Sequence, residues 1–94
     1  MYSIEEIKNL IRLPLEQYDV KRASLFGSVV RGENTDDSDI DLLVEFNGNK
    51  SLLDLAGLKI TLEDILKCKV DILTFNSIHP LLKNIILKEQ VSIL

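Results

Sequence analysis

Two short segments near the middle of the chain constrain the fold most: a glycine-serine turn and an alternating pair of aspartates. The first reads Gly27-Ser28-Val29-Val30-Arg31-Gly32, and the second begins six residues later as Ser38-Asp39-Ile40-Asp41-Leu42-Leu43-Val44. Because side chains alternate along a strand, both aspartates face one side of it. The apolar residues after them indicate a strand buried on both faces. An ionised carboxylate at the edge of such a strand is costly unless water or a metal ion compensates it.

The two aspartates have the spacing of a divalent-cation site. Asp39 and Asp41 are one pleat repeat apart, about 6.5–7 Å along the strand. Their carboxylates can share or flank one Mg²⁺, whose oxygen ligands lie at about 2.0–2.1 Å. An EF-hand calcium loop is excluded, because Leu42 replaces its glycine and Gly48 stands where its closing glutamate is required. The D-x-D spacing alone leaves an alternative open, an acidic and solvated turn made by Asp36, Asp37, Asp39 and Asp41.

The glycine-serine turn is suited to an anion. Gly27 lets the backbone turn sharply and approach a ligand closely. We expect Ser28 to begin a short helix, with its hydroxyl and the nearby amides directed at a phosphate, and Arg31 to add positive charge one turn later. A P-loop is excluded, because Glu33-Asn34 replaces its essential Lys-Ser/Thr. Taken alone, the turn is also compatible with a plain strand-to-helix connection, but a phosphate cradle beside a metal site indicates nucleotidyl transfer.

The remaining pattern predicts a single α/β domain over residues 1–94, with a small mixed sheet flanked by helices. Ser3 and Glu6 form a capping box for a first helix, which Pro14 should kink or end, although Leu15 and Tyr18 could continue its apolar face. Strands are expected at 21–26, 39–46 and 70–75, and a loop at 34–38. A helix should start at Ser51, a last helix should run from Pro80 to about Glu89, and 91–94 should form a short terminal strand.

Composition narrows the classes of function. The formal net charge is -4, which argues against direct binding to nucleic acid, because that needs a basic surface. No apolar run reaches the about 18 residues that a membrane span requires. The one cysteine, Cys68, excludes an internal disulfide and reads as a packing residue in a reducing compartment. We therefore expect a cytoplasmic protein.

The complete pattern, G-S-x-x-R-G followed by S-D-x-D and an apolar run, resembles the nucleotidyltransferase family related to polymerase β. It is closest to the short prokaryotic branch, the minimal nucleotidyltransferase (MNT) domains that are paired with HEPN proteins. The family has the element order predicted above, so the resemblance implies a polymerase-β-like fold. It also implies a third carboxylate on a neighbouring strand, and Asp71 in Val70-Asp71-Ile72-Leu73 occupies that position.

The resemblance implies a site that works with two Mg²⁺ ions and a nucleotide, ATP. Asp39 and Asp41 would bridge the ions, and Asp71 would hold the acceptor-side ion and act as general base. Gly27, Ser28 and Arg31 would bind the phosphates. Three carboxylates carry about −3 and a triphosphate up to about −4, so the charge of about +4 on two Mg²⁺ is needed to bring them together.

The branch implies a function as well. Its members are antitoxins of HEPN RNase toxins, and some transfer AMP from ATP to a tyrosine of the toxin. We therefore expect a Mg²⁺-dependent protein adenylyltransferase. The alternative is an antitoxin that neutralises its toxin by binding alone. Transfer to a small molecule or a nucleic acid is a weaker third reading, since the chain is acidic and lacks a second substrate domain.

The last helix is the expected protein interface. At 100° per residue, Leu82, Ile85 and Ile86 fall on one stripe with Leu81, whereas Leu87 points away from it. We expect Leu87, with the tail 91–94, to contact a HEPN toxin or another copy of this chain.

Overall fold

The computed structural model describes residues 2–33, 39–48 and 50–94. Its elements follow in the order α1 Ile4–Gln17, β1 Val20–Phe26, α2 Ser28–Arg31, β2 Ile40–Phe46, α3 Leu52–Leu66, β3 Val70–Thr74, α4 Pro80–Glu89 and β4 Val91–Ser92, with a 3-10 turn Phe75–Ser77 before α4. This order confirms the one expected from the sequence. The predicted loop 34–38, which includes Ser38, and residue Asn49 of the predicted turn lie outside the described residues.

The strands form one mixed sheet in the order β3-β2-β1-β4. β1 pairs antiparallel with both β2 and β4, whereas β2 and β3 run parallel. The parallel pair needs a crossover, and α3 supplies it. The α/β class with a small mixed sheet and flanking helices is therefore confirmed.

The main core lies between the sheet and the helices α1 and α3. Each helix contributes a buried apolar stripe, and alternate residues of β1 and β2 meet it: Ile7, Ile11, Leu15, Leu58, Leu62, Leu66, Ala23, Leu25, Ile40, Leu42 and Val44. The intervening residues of β2, including Asp41, therefore point to the other face of the sheet. Cys68 packs against this core as a half-buried side chain.

Several boundaries differ from the sequence prediction: β1 begins one residue earlier, at Val20, and β4 ends at Ser92 and not at Leu94. α1 does not end at Pro14 but continues to Gln17, because Pro14 and Leu15 are both buried and this burial outweighs the hydrogen bond that proline cannot donate. β2 begins at Ile40, so Asp39 precedes the strand. β3 ends at Thr74, since Phe75 enters the 3-10 turn.

The start of α4 is capped by His79. Its Nδ1 accepts the amide hydrogen of Leu81 at 3.1 Å, while the hydroxyl of Ser77 closes the preceding 3-10 turn by accepting from the Thr74 amide. After α4, β4 pairs with β1, and the amide of Ile93 bonds the carbonyl of Ala23 at 2.9 Å. The terminal strand is thus confirmed, and it anchors the end of α4 to the sheet.

The rotation of α4 is opposite to the one expected. Leu81, Leu82 and Ile85 are 81%, 51% and 60% exposed, whereas Leu87 is half-buried and lines a cavity beside the sheet. The prediction that Leu87 is the outward-facing residue was wrong. Of the predicted stripe, Leu81, Leu82 and Ile85 are exposed together, whereas Ile86 is half-buried. Helical spacing cannot tell which side of a helix meets the sheet. In the part of the chain that the structure describes, no helix is long and apolar enough to cross a bilayer.

Candidate active site

Strand register brings two of the three predicted carboxylates side by side. In the parallel pair β2–β3, Asp41 lies directly opposite Asp71, and in the antiparallel pair β1–β2 it lies opposite Phe26. Cross-strand partners share a face of the sheet, so the two carboxylates are neighbours. Asp41 is half-buried and Asp71 is exposed, while Asp39 lies half-buried just before the strand. The chain turns at Gly27, immediately after Phe26 and beside Asp41.

Gly27 is required by the aspartate next to it. Its φ of 77° lies in the region that favours glycine. A Cβ at this position would collide with Oδ2 of Asp41. The close approach predicted for this glycine is thus an approach to the Asp41 carboxylate, which puts the phosphate-binding turn and the metal-binding aspartate of the sequence prediction in direct contact.

Electrostatics at Asp41 are unfavourable without a cation. Burial, and then the negative charges of Asp71 and Asp39, raise the pKa of Asp41, while Arg31 opposes this effect only in part. Like charges held close together disfavour ionisation. The site is therefore a place where a bound cation would relieve repulsion, and carboxylate oxygens are the donors that Mg²⁺ prefers.

The three aspartates do not form a ready-made metal cage. Among residues 2–33, 39–48 and 50–94, no group of three or more His, Cys, Asp or Glu side chains is arranged to hold a metal ion. Asp41 nevertheless feels the charge of both other aspartates. The donors thus fit Mg²⁺ in their chemistry and lie near one another, and their carboxylates would have to converge further to share an ion.

The turn after β1 is a single helical turn, as predicted. Gly27 caps α2, and its carbonyl accepts the amides of Val30 and Arg31 at 3.1 and 3.2 Å. Gly32 ends the helix in the left-handed conformation. Ser28, the first residue of α2, is half-buried. The predicted phosphate-binding residues are therefore contiguous and lie on the β1 side of Asp41, whereas Asp71 lies on the β3 side.

Arg31 is already engaged by two carboxylates. Its Nε donates to Oε2 of Glu33 at 3.1 Å, and its Nη1 donates to Oε1 of Glu89 at 2.7 Å. Glu33 and then Glu89 raise the pKa of Arg31, which keeps the guanidinium charged. The same Glu89 oxygen accepts the Gly27 amide hydrogen at 2.8 Å.

Sequence reasoning missed Glu89. It is remote in sequence from the turn that it contacts, and no local pattern reports such a contact. One weak signal was present: a glutamate in the last turn of a helix is disfavoured by the helix dipole, so its presence calls for a compensating partner.

A cavity of about 480 Å³ adjoins Asp41 and Asp71. Its other lining residues are mostly apolar: Phe26, Leu52, Leu55, Ala56, Lys59, Ile72 and Leu73. A larger cavity, of about 720 Å³, lies elsewhere, next to Arg22, Phe75 and Leu87, and includes none of the predicted site residues. The smaller cavity is therefore the one relevant to chemistry at the carboxylates, and its size and apolar walls suit an aromatic ring.

Comparison with known proteins identifies the family. Residues 6–93 match the nucleotidyltransferase domain family, and the chain belongs to it. A Methanocaldococcus jannaschii protein named "Putative protein adenylyltransferase MJ0435" is 56% identical over 98% of this chain and 99% of its own length. The Thermococcus cleftensis protein named "Protein adenylyltransferase MntA" is 35% identical over 97% of this chain and 96% of its own. The expected family is thus confirmed.

A solved structure shows the same fold. A chain in the complex of a tri-AMPylated Shewanella oneidensis HEPN toxin with an MNT antitoxin superposes on this chain with a TM-score of 0.75. The match covers 96% of this chain and 71% of that chain, at 20% sequence identity. At this identity the likeness establishes the fold, and the roles of individual residues have to be argued from their geometry.

Proposed function

We propose that this chain acts as a single-domain, Mg²⁺-dependent protein adenylyltransferase that transfers AMP from ATP to a tyrosine hydroxyl of a HEPN RNase toxin. The observation that carries the proposal is the register that puts Asp41 beside Asp71, with Gly27 in contact with Asp41. Carboxylates that can hold metal ions, next to a turn whose amides can bind phosphate, are suited to nucleotidyl transfer. The names of the full-length relatives support the class of activity.

In this proposal Asp39, Asp41 and Asp71 hold two Mg²⁺ ions, which when bound neutralise phosphate charge and lower the pKa of the acceptor hydroxyl. Gly27, Ser28 and Arg31 hold the phosphates on the β1 side.

Asp71 takes the proton of the hydroxyl as general base. The hydroxyl oxygen then forms a bond to the α-phosphorus, the bond from that phosphorus to the β-phosphate oxygen breaks, and pyrophosphate leaves. The mostly apolar cavity beside Asp41 and Asp71 would receive the acceptor ring.

The acceptor protein is proposed to dock on the exposed apolar face of α4, formed by Leu81, Leu82 and Ile85. These three large side chains lie on one stripe of the helix and are exposed. An exposed apolar stripe of this kind marks a protein contact. The solved complex in which a HEPN toxin is bound to an MNT antitoxin supports the type of partner. A cytoplasmic location follows from this role, because an RNase toxin acts where RNA is.

The second candidate is an antitoxin that binds its toxin without transferring AMP. Two observations favour it: the described carboxylates do not converge into a metal cage, and Arg31 is paired with Glu33 and Glu89. In this case the exposed face of α4 alone would carry the function.

Mass spectrometry of the purified HEPN partner after incubation with this chain, ATP and Mg²⁺ separates the two candidates. We expect AMP on a toxin tyrosine with the wild type and none with Asp41→Asn. Asp64→Asn is a matched control, since Asp64 is an exposed carboxylate of α3 that forms an ion pair with Lys67 at the end of the same helix, and it should transfer normally. Loss of RNase activity without any adduct, equal for wild type and Asp41→Asn, would establish the binding-only antitoxin instead.

A further inference from the structure

One carboxylate oxygen of Glu89, at the end of α4, bonds two of the groups that are proposed to hold the phosphates. Its Oε1 accepts from the Gly27 amide at 2.8 Å and from Arg31 Nη1 at 2.7 Å. Both distances are those of strong, charge-assisted hydrogen bonds. The Glu89 side chain is 22% exposed, compared with 64% for Glu33, the other carboxylate on Arg31. The contact with Glu89 is therefore the better shielded of the two.

This arrangement has an electrostatic cost. Glu89 stands at the negative end of the α4 dipole, and its charge adds to the effects that raise the pKa of Asp41. The Gly27 amide and the Arg31 guanidinium both donate to this carboxylate and offset the cost. The hydrogen bonds of Glu89 thus require the observed conformation of the Gly27–Ser28 turn, and they also stabilise that conformation.

Gly27 shows what the contact fixes. On one side it lacks the Cβ that would collide with Asp41, and on the other its N–H is bound by Glu89. Glu89 thus holds the Phe26–Gly27 peptide that leads into the turn, and Asp41 occupies the space where a side chain at Gly27 would lie. β4, which follows α4 after one residue, pairs with β1, so the segment just after Glu89 is tied to the sheet.

We infer that Glu89 is a positioning residue for nucleotide binding: it fixes the Gly27–Ser28 turn and the Arg31 guanidinium in the geometry that receives the phosphates of ATP. The inference rests on the proposed function of this site. Glu89 itself does not touch the reacting atoms. Its removal should weaken nucleotide binding through the turn and Arg31, without removing any metal ligand.

The test measures binding of a non-hydrolysable ATP analogue by calorimetry, in the presence of Mg²⁺, for wild type, Glu89→Ala, Glu89→Gln and Glu33→Gln. We expect Glu89→Ala to lose affinity by about tenfold or more, the scale of hydrogen bonds to a charged group. Glu89→Gln keeps an oxygen for the Gly27 amide and should recover part of this loss. Glu33→Gln, the matched control on the exposed partner of Arg31, should change affinity by less than about twofold.

A double variant tests the route of the effect. If Glu89 acts through Arg31, Arg31→Ala combined with Glu89→Ala should lose little more affinity than the larger single variant, because coupled residues are not additive. Fully additive losses would contradict that route. Thermal unfolding of each variant, with no nucleotide, shows whether the fold is kept.

The outcomes separate this inference from the proposed function. A wild type that does not bind the analogue would contradict the proposed function itself. If the wild type binds, unchanged affinity in Glu89→Ala would overturn the inference, as would a lower melting temperature with unchanged affinity. Tighter binding by Glu89→Gln would also overturn it, because it would mean that the carboxylate competes with phosphate for the same donors.

Discussion

The two faces of β2 differ in chemical character, although both are formed by alternate residues of the same strand. Ile40, Leu42 and Val44 are buried against α1 and α3, whereas Asp41, between the first two, lies beside Asp71 and against Gly27. One face gains free energy from apolar burial. The other holds like charges together at a cost. Apolar burial on the face toward α1 and α3 thus offsets the repulsion between the carboxylates on the other face and holds them in place.

The largest expected effect on stability lies on the helical face. Leu62→Ala removes a fully buried side chain and should lower the free energy of unfolding by about 2–5 kcal/mol. Leu52→Ala, the same change at an exposed position of the same helix, should stay within about 0.5 kcal/mol. Urea denaturation monitored by circular dichroism measures both, and similar values for the two variants would break the comparison between the faces.

A substitution beside the carboxylate face should change the rate of catalysis and not the free energy of unfolding. Ser28→Ala removes one donor to the developing charge, and such losses reduce turnover by a factor of roughly 10²–10³. We expect a value near the lower end, since the neighbouring amides of the turn remain. Adenylylation kinetics at saturating ATP measure it. Wild-type turnover in this variant would assign Ser28 to the turn alone.

The exposed stripe of α4 offers a third contrast. Ile85→Glu should weaken co-purification with the HEPN partner, or shift a homo-oligomer toward monomer, without unfolding the domain. Ile60→Glu is the matched control, since Ile60 is an exposed isoleucine on α3. Light scattering and pull-down report the result. Full assembly by the Ile85 variant, or an equal loss of assembly in the Ile85 and Ile60 variants, would show that the interface is not on α4.

The smallest expected effect is a pH-dependent gain in stability. The folded-state pKa of Asp41 is raised. The contribution of Asp41 to the free energy of unfolding is therefore most favourable below its ordinary pKa of about 3.9, and it is lost as pH rises through the folded-state value. In metal-free buffer, Asp41→Asn should therefore raise the melting temperature at pH 7, and the gain should shrink toward pH 3. A variant that is less stable than wild type at pH 7 would show that the carboxylates do not repel.

The sequence predicted the parts that depend on local pattern and strand alternation. The element order, the sharp turn at Gly27 and the short helix that begins at Ser28 follow from local pattern, and Asp71 followed from resemblance to the family. The sequence failed where long-range packing decides. Pro14 stays within a helix because it and Leu15 are buried. Leu87 lines the cavity beside the sheet, and Glu89 reaches the turn only in the folded chain.

The central claim is that the carboxylate face of the sheet is a metal-dependent nucleotide site. Its most direct test is calorimetric titration of Mn²⁺ or Mg²⁺ in the presence of a non-hydrolysable ATP analogue, comparing wild type with the double variant Asp39→Asn/Asp41→Asn. We predict saturable metal binding by the wild type and none by the double variant, with both proteins folded. Undiminished binding by the double variant would contradict the account, since these two aspartates would then not be the ligands.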